Sequence, residues 1–162
     1  MHPVSANPEC LTCIQNDKTD LPPRERVLVA PEWRVAHAFG TALPGWLVVV
    51  PRRHVTALDE LTPAEAAELG PLLRNVTAAM RTVLACTKTY VALFAEAEGF
   101  AHVHFHVIPR AEDLDADLRG PRIFGLLGGD SERHVPESVM DDIASSIATA
   151  LEPDARSGGV SQ

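Results

Sequence analysis

No stretch of this 162-residue chain approaches the apolar length of a membrane span, and its opening, MHPVSANPEC, has no signal-peptide pattern. A cytoplasmic protein is the expectation. Cysteine is scarce, and three residues are too few for a disulfide scaffold. Cys86, alone near the end of an expected helix, reads as a small buried hydrophobe. Positive charge is short as well: 14 Lys and Arg stand against 22 Asp and Glu, for a net charge of −8. That balance argues against a nucleic-acid polymer as partner. It does not exclude a small anionic ligand, because a local cluster can override the global field. Internal repeats are absent. The glycines of GLLGGD lack the Lys-Ser/Thr of a phosphate loop and read as a flexible connection.

What is present suffices for one domain with a real core: the apolar fraction is 46%. Residues 1–24 are polar and proline-containing apart from a short CLTC, and little regular structure is expected there. Three apolar runs follow, RVLVA (26–30), WRVAHAF (33–39) and GWLVVV (45–50). The turn signals APEW and TALPG separate them, so they read as antiparallel strands. LTPAE then announces a helix, with Thr62 as N-cap, Pro63 at the first helical position and Glu65 completing a capping box. Leu69, Leu72, Leu73, Val76, Met80, Val83 and Leu84 continue it at helical spacing to about Cys86. Gly70-Pro71 is predicted to kink or split it. TYVALFAE (89–96) reads as a strand and AEGF as a turn. The acidic EDLDAD within 111–130 reads as a solvated loop, and PESVMDDIASSIATAL (136–151) as a second helix. The chain thus divides into a leader over 1–24, a folded domain over 25–151 and a disordered tail over 152–162.

Between the turn and the acidic loop lies AHVHFHVIPR, residues 101–110. Its period of two and its β-branched and aromatic residues predict a strand. His102, His104 and His106 then share one face, and Val103, Phe105 and Val107 face a core. In CLTC, Cys10 and Cys13 form a metal half-site or a redox pair. An irregular leader is not the strand-to-helix setting of a redox motif, which favours the metal. Zinc would need two further ligands. His54, closing a strand in PRRHV, and His102, opening the histidine strand, are the stronger candidates; His2 and His37 are weaker. Arg52 and Arg53 are turn charges with an ordinary solvated reading.

HVHFHVI resembles the signature of the histidine triad (HIT) family, His-φ-His-φ-His-φ-φ with φ apolar. PGWLVVVPRRHVTALDELTPAE resembles the family segment before its long helix, and the order of elements agrees. CLTC with PRRH resembles the family's zinc-bearing branch and the related galactose-1-phosphate uridylyltransferases. The resemblance implies an α+β fold: an antiparallel sheet of about five strands with one long helix and a C-terminal helix. It implies a homodimer that binds a nucleotide or nucleotide conjugate. It implies structural zinc on Cys10, Cys13, His54 and His102. It gives His104 the role of nucleophile at the α-phosphorus, and His106 that of a phosphate or leaving-group contact, donating in its protonated form. Arg110 would add positive charge on the same nominal face.

The chain also departs from the family. Trp46 stands where many members have a further active-site histidine, Ala38 where many have a ribose-binding aspartate, and Gly99 where many have a hydroxyl residue. Glu96 and Glu98 lie nearby. Trp46 reads either as a core aromatic or as a stacking partner for a base. The expected activity is nucleotide hydrolase or nucleotidyl transferase, acting on a derivative such as a dinucleoside polyphosphate or phosphoramidate. Two alternatives stay open: a hydrolase whose three histidines hold a catalytic metal, and a nucleotide-binding protein without turnover.

Overall fold

The apolar runs pair into one sheet. A computed structural model describes residues 7–152, so His2 and positions 153–162 of the tail lie outside the described residues. In chain order the elements are a short helix α1 (Leu11–Asn16), strands β1 (Leu28–Val29), β2 (Trp33–His37) and β3 (Leu47–Pro51), the long helix α2 (Pro63–Leu84), strands β4 (Lys88–Leu93) and β5 (Phe105–Arg110), and helix α3 (Glu137–Leu151). The five strands are antiparallel in the order β1-β2-β3-β5-β4, an α+β architecture.

Helix α2 begins as its sequence dictates. The Thr62 hydroxyl accepts the Glu65 backbone N–H at 3.2 Å, and the Glu65 carboxylate accepts the Thr62 N–H at 2.7 Å. The expected break at Gly70-Pro71 does not split the helix, which runs through Pro71. Pro71 is exposed, and so is Ala67, whose carbonyl loses its helical partner. Water can meet that carbonyl, so the lost hydrogen bond costs less than it would in a core.

Alternation sets what each sheet face covers. Val35, Leu47, Val49, Val103, Phe105 and Val107 face a core closed by Val76, Ala79 and Met80 of α2 and Ala144 and Ile147 of α3. The opposite face is covered too. Ala38, Trp46 and Ile108 pack there with Ile123, Phe124, Leu126 and Leu127. Residues 111–130 are therefore not simply a loop. They contain 3-10 turns at Ala116–Leu118 and Gly120–Leu126, and the acidic side chains stay exposed while the apolar ones cap the sheet. The Gly128 N–H reaches the Gly40 carbonyl, and Thr41 bridges Leu127. Coverage on both sides explains why all five residues of β2 are buried.

The leader also holds more regular structure than its polar composition suggests. A six-residue helix is too short to persist alone. Asn16 anchors it: its amide donates to the carbonyls of Pro51 and Arg52 at 3.1 and 3.2 Å and accepts from Arg34 Nε at 2.7 Å. Arg34, itself buried, completes the join with a 2.8 Å ion pair to Glu25. Among the described residues no helix is long and apolar enough to cross a membrane.

Candidate metal centre and histidine site

Strand β5 starts at Phe105, later than the repeating His-φ pattern suggests. The reason lies in what residues 102–104 bond to. The Val103 N–H goes to the Val55 carbonyl at 2.8 Å, outside the ladder. The His102 ring faces the carbonyl of Pro51, 2.9 Å from Nε2. A carbonyl only accepts, so Nε2 carries the proton and the Nδ1 lone pair points the other way. It points at sulfur: Nδ1 lies 3.6 Å from both Cys10 Sγ and Cys13 Sγ. Nδ1 of His54 lies 3.3 Å from Cys13 Sγ.

These four residues form a donor cluster whose ligand atoms all lie within 4.8 Å of one another. The chemistry fits zinc. Bond lengths of about 2.3 Å to sulfur and about 2.0 Å to nitrogen, at tetrahedral angles, place neighbouring ligand atoms roughly 3.5 Å apart. The observed 3.3–3.6 Å contacts are of that size. Burial pushes the Cys13 thiol up and pushes the His102 imidazole down to about 4. The ring is thus neutral and ready to ligate, while the thiol needs a cation to give up its proton. The Cys-x-x-Cys pair proves to sit at the start of a helix, with Cys10 as N-cap of α1. Even so, two imidazoles converge on it, and metal chemistry explains the convergence better than redox chemistry does.

His104 has a different environment. Its Nδ1 lies 2.8 Å from the His102 carbonyl oxygen, so Nδ1 is the protonated nitrogen. The Nε2 lone pair has no hydrogen bond among the described residues. The His106 ring is 4.8 Å away, centroid to centroid, and stands edge-on at 79°. His106 differs from its expected protonated form. The Trp46 indole N–H donates to its Nδ1 at 3.1 Å, and burial pushes the ring down to about 4. It is a neutral imidazole near pH 7, and any donation must come from Nε2–H. The triad does not converge as one metal site: His104 and His106 lie outside the donor cluster.

The other expected site residues separate. Trp46 is fully buried, and its ring is enclosed by His106 and Phe124. It meets the site through His106 and has no exposed face for a base. Arg110 pairs with Lys88 at the far end of β5, roughly 13 Å along the strand from His106. His37 is satisfied within the fold: Nδ1–H donates to the Ala38 carbonyl at 2.7 Å, and Nε2 accepts the Gly45 N–H at 2.9 Å. Arg53 grips the buried Glu65 carboxylate at 2.9 and 3.1 Å, and Arg52 donates to the Asn16 carbonyl. Both arginines hold structure. Glu96 and Glu98 are exposed.

One neighbour escaped the sequence reading. Phe124 stands edge-on to His106 at 5.0 Å and to Trp46 at 5.2 Å. The apolar run IFGLL (123–127) was the signal that this stretch is packed. A cleft of about 340 Å³ opens beside β2, α1 and α3, lined by Gln15, Lys18, Arg24, His37 and Phe39 among others. The Phe39 ring packs on Phe100 at 5.9 Å, two residues before His102.

Residues 23–113 match the sequence model of the HIT domain family. A bis(5'-nucleosyl)-tetraphosphatase (asymmetrical) of Schizosaccharomyces pombe is 32% identical over 71 residues, which is 42% of this chain and 39% of that protein. The chain thus spans about two fifths of that curated relative. A zinc-bound histidine triad protein of Mycobacterium smegmatis superposes with a TM-score of 0.63 at 17% identity, covering 88% of this chain and 92% of its own. A uridylyltransferase superposes with a TM-score of 0.59 at 21% identity, over 88% of this chain and 45% of that one.

Proposed function

The chain belongs to the HIT domain family, and from that premise we propose that it cleaves or transfers the nucleoside 5'-phosphate group of a nucleotide derivative through a covalent intermediate on His104. The observation that carries this reading is the 2.8 Å bond from His104 Nδ1–H to the His102 carbonyl. It leaves the Nε2 lone pair as the reactive one and prevents the ring from turning away. That lone pair attacks the α-phosphorus. The bond from phosphorus to the leaving oxygen or nitrogen breaks, and the leaving group departs with the electron pair. Water then adds to phosphorus, the P–N bond breaks with its electrons returning to His104, and the proton of water goes to solvent. His106 Nε2–H stands beside the reacting ring, where a neutral donor would steady the phosphoryl oxygens as charge builds. If another nucleophile replaces water, the same intermediate gives transfer.

Cys10, Cys13, His54 and His102 would hold a zinc ion, whose contribution is structural: it ties α1 to the turn after β3 and to the entry of β5. The tetraphosphatase relative makes a dinucleoside polyphosphate a natural first substrate. We further propose a homodimer formed along the free edge of β4, where Val91 and Phe94 are exposed, and a cytoplasmic location.

Rapid quenching with a nucleotide labelled at the α-phosphate, followed by peptide mapping, tests the reading. Label on His104 supports it. His104→Ala should lose nearly all turnover while keeping zinc and fold; retention of more than about a tenth of turnover would remove the nucleophile assignment.

A further inference from the structure

We infer that Trp46 is a positioning residue that, with Phe124, holds His106 in its neutral Nε2–H tautomer beside His104. The inference rests on the functional reading above for its consequence, and on geometry alone for its substance.

Trp46 immediately precedes β3, and Val48 of that strand pairs with His106 of β5. The two side chains therefore share the histidine face, where indole Nε1 lies 3.1 Å from His106 Nδ1. An indole nitrogen donates and never accepts. The polarity of this contact is consequently fixed: His106 Nδ1 must offer its lone pair, and in a neutral ring the proton must sit on Nε2. Serine, asparagine or histidine at position 46 could reverse its role and leave the tautomer open. Tryptophan cannot.

Three rings keep His106 neutral and in place. Trp46 meets it edge-on at 5.7 Å and Phe124 at 5.0 Å, and Trp46 and Phe124 touch each other at 5.2 Å. No carboxylate pairs with His106 among the described residues, so nothing repays the cost of charging a ring that is only 6% exposed. On the remaining side stands His104, at 4.8 Å. The consequence for the reaction is specific. His106 contributes a directed, uncharged hydrogen bond to the reacting phosphoryl group, and the ring needs no proton from solvent before each turnover.

Long-range proton–nitrogen NMR of the metal-loaded full chain at pH 7 tests the assignment without any substrate. The wild type should show His106 with a protonated Nε2 and an unprotonated, hydrogen-bonded Nδ1. In Trp46→Phe the Nδ1 signal should lose its hydrogen-bond shift, and the ring should become a mixture of tautomers. A wild-type His106 protonated at Nδ1, or a Trp46→Phe spectrum identical to wild type at this ring, overturns the inference. Because the wild-type spectrum alone can refute it, the test survives if the variant does not fold. For the role in the reaction, Trp46→Phe should lower kcat roughly 10- to 100-fold with little change in KM, and Trp46→His should restore part of it. An unchanged kcat in a folded Trp46→Phe overturns the positioning role. If no nucleotide ever labels His104, the functional reading fails separately, and the NMR result still decides the tautomer.

Discussion

The backbone carbonyl of His102 accepts the Nδ1–H of His104 at 2.8 Å, while the imidazole of the same His102 faces two cysteines. One residue therefore serves the candidate metal centre with its side chain and the candidate nucleophile with its main chain. Disturbing the first should be felt by the second.

Metal removal should show this. Purified protein is expected to carry about one zinc per chain in a shell of two sulfurs and two nitrogens. Chelation or Cys13→Ser should lower the melting temperature and expose the segment around α1 to protease, because a short helix then depends on Asn16 and Arg34 alone. The His104 ring signals should shift at the same time. A stable Cys10–Cys13 disulfide in place of bound metal would refute the expectation.

Glu65 should matter more than a surface carboxylate. It is 1% exposed, caps α2 and receives both Arg53 contacts. Glu65→Ala should cost about 2–3 kcal/mol, since it leaves the Thr62 N–H without its carboxylate partner and takes two contacts from Arg53. Thermal unfolding would read this as a fall of roughly 5–10 °C. Glu65→Gln keeps the cap and should cost less.

Acid should weaken the fold before carboxylates titrate. Burial lowers the His106 imidazole to about 4, and lowers that of His37 as well. An unfolded histidine titrates near 6.5, so between about pH 6.5 and about pH 4 the unfolded chain binds more protons. The stability gained from burying neutral His106 is complete above 6.5 and is lost as pH falls through that window. Urea midpoints at pH 7.5 and 5 should show the loss, and the drop should be smaller in His106→Asn. Equal drops in the two proteins would mean that His106 is not buried neutral.

Gly45 should tolerate no side chain. Its φ of +83° is the left-handed region, and a Cβ there would approach Leu84 Cδ1 to 2.5 Å. Gly45→Ala should therefore destabilise by about 1–3 kcal/mol in denaturant titrations. It also donates to His37 and precedes Trp46, so a loss of His106 ring dispersion should accompany the instability.

Much of the fold was legible because its signals are local. The Thr62–Glu65 box and the alternation from Val103 to Val107 can each be read from a few neighbouring residues, and both stand in the structure. What sequence could not disclose was decided by partners far along the chain. The leader becomes helical because Asn16 finds Pro51 and Arg34. Pro71 stays within a helix because it happens to face solvent. His106 keeps its proton on Nε2 because Trp46, sixty residues earlier, donates to Nδ1. The cluster of Cys10, Cys13, His54 and His102 forms in the structure, whereas Arg110 is carried away by the straight run of β5.

The four donors of that cluster are spread from residue 10 to residue 102. A ribosome that has released the chain through the turn after β3 offers a metal ion three of them, and the fourth emerges only after α2, β4 and the turn that follows. Even then His102 can be aimed only once the chain at Pro51 is in place to receive its other nitrogen. Ion capture would thus be a closing event in the life of the polypeptide, sealing two long loops at once and setting apart molecules whose central strands have met from those that have not.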